Sequence, residues 1–143
     1  MTKTVSTWLL ALALGLAPAA LRAGPAVPAI APAEAAVQVK AGRAVIVDVR
    51  ERSELAGGMA QGAHWYPTSS IRSDPEAFQN YLATLPADQT VVFYCAAGVR
   101  AGAAAELASE DAGRKAANLG GFRDWQAAGL PVTTPAATLA PGQ

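Results

Sequence analysis

The run Thr90-Val91-Val92-Phe93-Tyr94, stopping at Cys95, most limits what this chain can become. Five consecutive β-branched or aromatic residues with no polar face suit a strand covered on both sides, as in a parallel sheet. Ala101 to Ser109 contains no proline and is rich in strong helix formers, so it reads as a helix. The six residues Cys95 to Arg100 then form a strand-to-helix loop, with Gly98 where a tight turn needs positive φ. A thiol placed there faces the first turn of the next helix. The unpaired backbone N–H groups and positive dipole end of that turn favour a thiolate or a bound anion. Cys95 is therefore a candidate nucleophile. As the only cysteine it also fits an inert, buried apolar residue, and its count alone does not separate the two.

The rest of the chain alternates strand and helix in the same way. Pro32 suits a first helical position, with Ala33 to Lys40 a short helix ended by Ala41-Gly42. Ala44 to Val49 is a second buried strand, with Asp48 and Arg50 at its exit. Glu51 to Leu55 carries a helical turn with Ser53 as candidate cap, and Gly62 to Pro67 holds a brief strand. Asp74-Pro75 opens a helix whose core face is Phe78, Tyr81, Leu82 and Leu85, and Pro86 stops it. Ala116 to Leu119 is a further strand, and Gly120-Gly121 leads into a helical turn, Phe122 to Ala127, closed by Gly129 and Pro131. Such alternation on short connections argues an open α/β sheet with ligands beyond the C-terminal strand ends. Residues 133–143 have no apolar period and are expected to be a mobile tail.

A chain of 143 residues, 52% apolar and 15% charged, is expected to form one globular domain. Residues 1–23 stand apart from it. Lys3, the apolar Trp8 to Leu16 and the small residues after them have the form of a secretory signal peptide. Ala17-Pro18-Ala19 offers a cleavage site and Leu21-Arg22-Ala23 a poorer one. The apolar run is short for a bilayer span, so the expected product is not integral to the membrane, with an uncleaved anchor as the alternative. Residues 24–32 are a Pro/Ala linker, and 33–132 the domain proper. Without Lys3 and Arg22, nine basic residues face eleven acidic ones, a net charge of −2, and no basic patch calls for nucleic acid. Export implies a periplasmic or secreted protein whose single thiol has no internal disulfide partner.

Several stretches coincide, in order and spacing, with one family. Ala44-Val-Ile-Val-Asp-Val-Arg50, then Glu54, Gly58, Gly62-Ala63 and Pro67, then Cys95-x-x-Gly98-x-Arg100, then Gly120-Gly121-Phe122-x-x-Trp125-x-x-Ala128-Gly129-Leu130-Pro131-Val132 resemble the rhodanese-like sulfurtransferases. The resemblance covers roughly Ile30 to Val132 and implies an open, mainly parallel sheet flanked by helices on both faces. It implies that Cys95 takes sulfane sulfur from a small anionic donor such as thiosulfate, holds it as a persulfide, and passes it to cyanide, a thiol or a protein acceptor. The backbone N–H groups from Ala96 through Ala97, Gly98, Val99 and Arg100 to Ala101 would cradle the anionic sulfur, with no metal or cofactor postulated. Arg100 either binds the donor or holds the loop against an acidic neighbour.

Asp48 and Arg50 match the family's D-x-R and read as structural support beneath the loops. His64, the lone histidine, reads as packing rather than as a metal ligand or base. Trp65 either packs or walls the site, and Trp125 anchors the last helical turn. Met59-Ala60-Gln61 departs from the family's usual His-Ile-Pro, and Ala101 stands where a serine often follows the arginine. A cysteine-based phosphatase or arsenate reductase is the less favoured enzyme, because such loops separate cysteine and arginine by five residues, not four. A non-catalytic binding or sulfur-carrier module is the remaining alternative.

Overall fold

The computed structural model describes residues 26–110, 112–136 and 139–143. The expected signal peptide, its cleavage sites and Gly24-Pro25 of the expected linker lie outside these residues. Helix α1 (Pro32–Lys40) has proline in its first turn, where the missing N–H costs nothing. It leads into β1 (Ala44–Asp48) and a 3-10 helix (Arg52–Gly57). The short strands β2 (Met59–Ala60) and β3 (His64–Trp65) come next, followed by α2 (Thr68–Ser73) and α3 (Pro75–Thr84). The centre is β4 (Thr90–Cys95) and α4 (Val99–Glu110), and β5 (Ala116–Gly121), α5 (Phe122–Ala127) and β6 (Val132–Thr133) complete the order.

The main sheet runs β3-β1-β4-β5 with every pair parallel, and β2 pairs separately with β6, antiparallel. Period-2 alternation divides the core. Val91, Phe93 and Cys95 of β4 face a cluster containing Ile71, Phe78, Leu82, Ala101, Ala104 and Ala105, contributed by α2, α3 and α4. Val92 and Tyr94 face the opposite cluster, which contains Ala35, Phe122 and Trp125 of α1 and α5. The unbroken apolar run therefore serves two faces, as a central parallel strand requires.

Four local differences from the sequence reading have physical causes. The 3-10 helix is capped by Glu51, not Ser53: a capping box joins Glu51 and Glu54, with the Glu51 N–H donating to Glu54 Oε2 at 2.8 Å. Helix α2 has few strong helix formers and gives no sequence signal; it forms because Ile71 is buried and Thr68 bonds the Val49 carbonyl through both N–H and hydroxyl. The expected linker pairs with the sheet at Pro28 to Ile30. Asn118 N–H donates to the Pro28 carbonyl and Ile30 N–H to the Asn118 carbonyl, so Pro28, which lacks a donor, still serves as an acceptor. The expected tail contacts the fold as well: Thr133 pairs with Met59, and Gly142 and Gln143 exchange backbone bonds with Trp65.

Candidate active site

Cys95 is the last residue of β4, paired in register with Gly121, and only 1% of its surface is exposed. Its Sγ accepts a hydrogen bond from the Gly98 N–H at 3.0 Å. The expected six-residue loop is shorter in the structure. Gly98 (φ 97°) reverses the chain, its carbonyl accepts the Gly102 N–H at 2.9 Å, and α4 begins at Val99. Ala96, Ala97 and Gly98 alone form the turn, while Val99, Arg100 and Ala101 occupy the first helical turn, where N–H groups have no partner within the helix. Of the six amides expected to cradle sulfur, Gly98 is the one bonded to Sγ here.

The end of β5 holds this turn in place. A bulge adds one residue to β5 between the pairs Phe93–Asn118 and Tyr94–Gly120. Asn118 then spans the two chains: its Nδ2 donates to the Gly98 carbonyl at 3.0 Å and its Oδ1 accepts the Gly120 N–H at 2.9 Å. A Cβ at Gly121 would lie 2.4 Å from the Ala96 carbonyl oxygen, so only glycine lets β5 approach the turn. A cleft of about 650 Å³ opens beside it, bordered by Ala97, Gly98, Glu106, Asn118 and Gly120.

A line of charges supports the other side. Asp48 and Arg50 are both buried, and the Arg50 Nε and Nη2 donate to the Asp48 carboxylate at 2.6–3.0 Å. The Arg50 guanidinium also lies 4.1 Å from the Phe122 ring centroid. Burial opposes its charge, but hydrogen bonding and attraction to Asp48 outweigh burial and raise its pKa. Arg50 donates onward to the carbonyls of Glu54 (3.1 Å) and Gly58 (2.7 Å), which fixes the 3-10 helix. Glu54, in turn, accepts both terminal nitrogens of Arg100, at 2.6 and 2.7 Å. That fork holds the Glu54 carboxyl down to about 2 against an ordinary 4.5. Asp48, Arg50, Glu54 and Arg100 thus join β1 to the first turn of α4, beside Cys95.

The sequence profile of the rhodanese-like domain matches residues 31–128. The chain belongs to the rhodanese-like family. Among its relatives, the human thiosulfate:glutathione sulfurtransferase is 39% identical over 92 residues, covering 59% of this chain and 80% of that one. A rhodanese-related protein from Thermoplasma volcanium superimposes with a TM-score of 0.61 at 27% identity, over 76% of this chain and 99% of that one. A human single-domain sulfurtransferase does so with a TM-score of 0.57 at 32% identity, over 71% and 96%. The open, mainly parallel sheet is thus a rhodanese-like fold, and this chain has sulfurtransferases among its relatives.

The remaining residues singled out in the sequence fall around this rhodanese-like site in distinct ways. His64 is half-buried against Tyr81, and burial lowers its pKa. Trp65 packs with Leu55 and Met59 under the 3-10 helix and donates to the Arg50 carbonyl at 2.8 Å. Trp125 is buried and donates to the Pro131 carbonyl. The departure at Met59-Ala60 is accommodated, since Met59 is buried and the Ala60 N–H donates to the Tyr94 hydroxyl at 3.0 Å. Asn118 was not singled out in the sequence; its one signal there is a polar residue inside a weak apolar strand, just before Gly120-Gly121. Among the described residues no group of three or more His, Cys, Asp or Glu side chains is gathered as metal ligands, and no helix is long and apolar enough to cross a membrane.

Proposed function

We propose that the protein is a sulfurtransferase that carries sulfane sulfur on Cys95, with thiosulfate as donor and cyanide or a thiol as acceptor. The observation that carries this reading is the Cys95 Sγ at the strand–helix junction with the Gly98 N–H upon it at 3.0 Å. The Cys95 thiolate attacks the outer sulfur of thiosulfate; an S–S bond forms, the S–S bond of the donor breaks, and sulfite leaves with that electron pair. The product is an anionic persulfide one atom longer, which the Gly98 amide and the free N–H groups of Val99, Arg100 and Ala101 suit. An acceptor thiolate then attacks the outer sulfur, and Cys95 departs as the thiolate. Nothing is oxidised or reduced overall.

Arg100 is assigned to holding the turn in the donor-free state, since Glu54 occupies both its terminal nitrogens. Arg100→Ala should then lower thermal stability as well as activity, whereas a purely donor-binding arginine would raise the KM for thiosulfate alone. The central test is mass spectrometry after incubation with thiosulfate: the wild type should gain one sulfur atom and Cys95→Ser none, with the fold retained. A Cys95→Ser variant that still moved sulfur from thiosulfate to cyanide would overturn the assignment. A wild type that takes sulfur from no donor would favour the binding-module alternative. Residues 1–23 are proposed to direct export to the periplasm or exterior, an idea supported by their n-region, apolar core and small residues. N-terminal sequencing should find a start at Ala20 or Gly24; membrane-bound material retaining Lys3 would refute it.

A further inference from the structure

A narrow groove of about 130 Å³ runs between α2 and α4, lined by Ile71, Arg72, Val99, Arg100, Ala103 and Leu107, among others. Val99 is 84% exposed and Leu107 40% exposed, two of four large apolar side chains in that state among the described residues. Val99, Ala103 and Leu107 are spaced four apart, so they share one face of α4. The stripe starts at the fourth residue after Cys95 and extends eight residues, or ~12 Å at 1.5 Å per residue. Cyanide or a lone cysteine covers only its first few ångströms, whereas about four extended residues of a polypeptide span it. The volume, set against ~30 Å³ for a water, admits one medium apolar side chain. The groove also carries an unbalanced charge. Glu54 engages Arg100, but Arg72 is exposed, has no ion-pair partner among the described residues, and no acidic side chain lines the groove.

We propose that the α2–α4 groove is the docking site for a protein acceptor. Resting on the sulfurtransferase reading, the acceptor presents a cysteine to the Cys95 turn, an apolar side chain between Val99 and Leu107, and a carboxylate to Arg72. The transfer itself is unchanged: the thiolate of the acceptor takes the outer sulfur, and the S–S bond to Cys95 breaks with its electron pair on Cys95.

The test uses the full chain loaded with sulfur from thiosulfate, with discharge by cyanide measured first. If neither step occurs, the sulfurtransferase reading fails, whatever the groove does. The probes are two six-residue synthetic peptides with one cysteine each, one with leucine and glutamate after it, the other with serine and lysine there; glutathione is a third. The acidic, apolar peptide should discharge the persulfide with a kcat/KM about tenfold above the basic one, an ordinary effect for one charge and one apolar contact. Arg72→Glu should reverse that preference and Leu107→Ser should weaken it, both with cyanide discharge and melting temperature unchanged. Equal discharge by both peptides, or a preference that survives Arg72→Glu, would overturn the proposal. So would glutathione outpacing the acidic peptide with no effect of Leu107→Ser, which would mark a small thiol as the acceptor.

Discussion

Glu54 and Arg100 lie forty-six positions apart in sequence yet share two short hydrogen bonds. The carboxyl of Glu54 titrates at about 2 in the folded protein against 4.5 ordinarily, chiefly through its bonds to Arg100. Because the folded value is the lower one, the pair stabilises fully above pH 4.5 and loses its contribution as pH falls toward 2. The melting temperature of the wild type should therefore exceed that of Glu54→Gln by a constant margin near neutrality. The pair is partly exposed, so about 1 kcal/mol, or ~4 °C, is the scale to expect. The margin should narrow below pH 4.5; widening on acidification would contradict the pairing. Cys95, Asp48, Arg50 and Arg100 were legible in the sequence because each sits in a short run of fixed spacing. Glu54 stood in the same series, and an acidic neighbour was one of the two roles open to Arg100. That the two are partners was not legible, since it depends on the Arg50 guanidinium reaching two carbonyls of a turn that the sequence only suggests.

At the scale of elements, β4 and α4 were legible from apolar continuity and helix propensity, while their junction was not. The sequence reading begins the helix at Ala101, after the glycine turn; the bond from Gly102 N–H to the Gly98 carbonyl begins it at Val99. The position of the turn also depends on β5, twenty residues on, through Asn118. Asn118→Ala removes the tie to Gly98 and should slow loading of sulfur by about tenfold, the equivalent of ~1.4 kcal/mol. Asn118→Asp keeps an acceptor for the Gly120 N–H but loses the donor to Gly98. It should retain more thermal stability than Asn118→Ala while loading sulfur as slowly. Single-turnover rates that match the wild type in both variants would show that the turn holds itself. Helix α2 was not legible at all, because tertiary contacts rather than composition make it.

For the whole molecule, the sheet followed the sequence reading in kind, mainly parallel with the thiol at a C-terminal strand end, while the order of its strands was not legible there. The treatment of its edges could not be read there. Residues 28–30 cover the open edge of β5, and Gly142 and Gln143 cover β3 through two backbone bonds at Trp65. A chain lacking 139–143 should lose about 1 kcal/mol and melt ~4 °C lower, since the two backbone bonds at Trp65 and the Arg52 bond to the Leu139 carbonyl go and an edge is bared. An unchanged melting curve would assign those residues no part in the fold.

The near-complete burial of Cys95 also bears on how the protein behaves in air. A disulfide between two copies requires their Cβ atoms to approach to about 3.5–4.5 Å. Each sulfur lies under its own turn and against its own α4, so two such copies cannot meet that demand while folded. Purified protein stored without reductant should therefore run as a single monomer band on a non-reducing gel, with blocking of free thiols before unfolding. A cross-linked dimer band appearing on storage would mean that the turn opens far more often than its hydrogen bonds suggest.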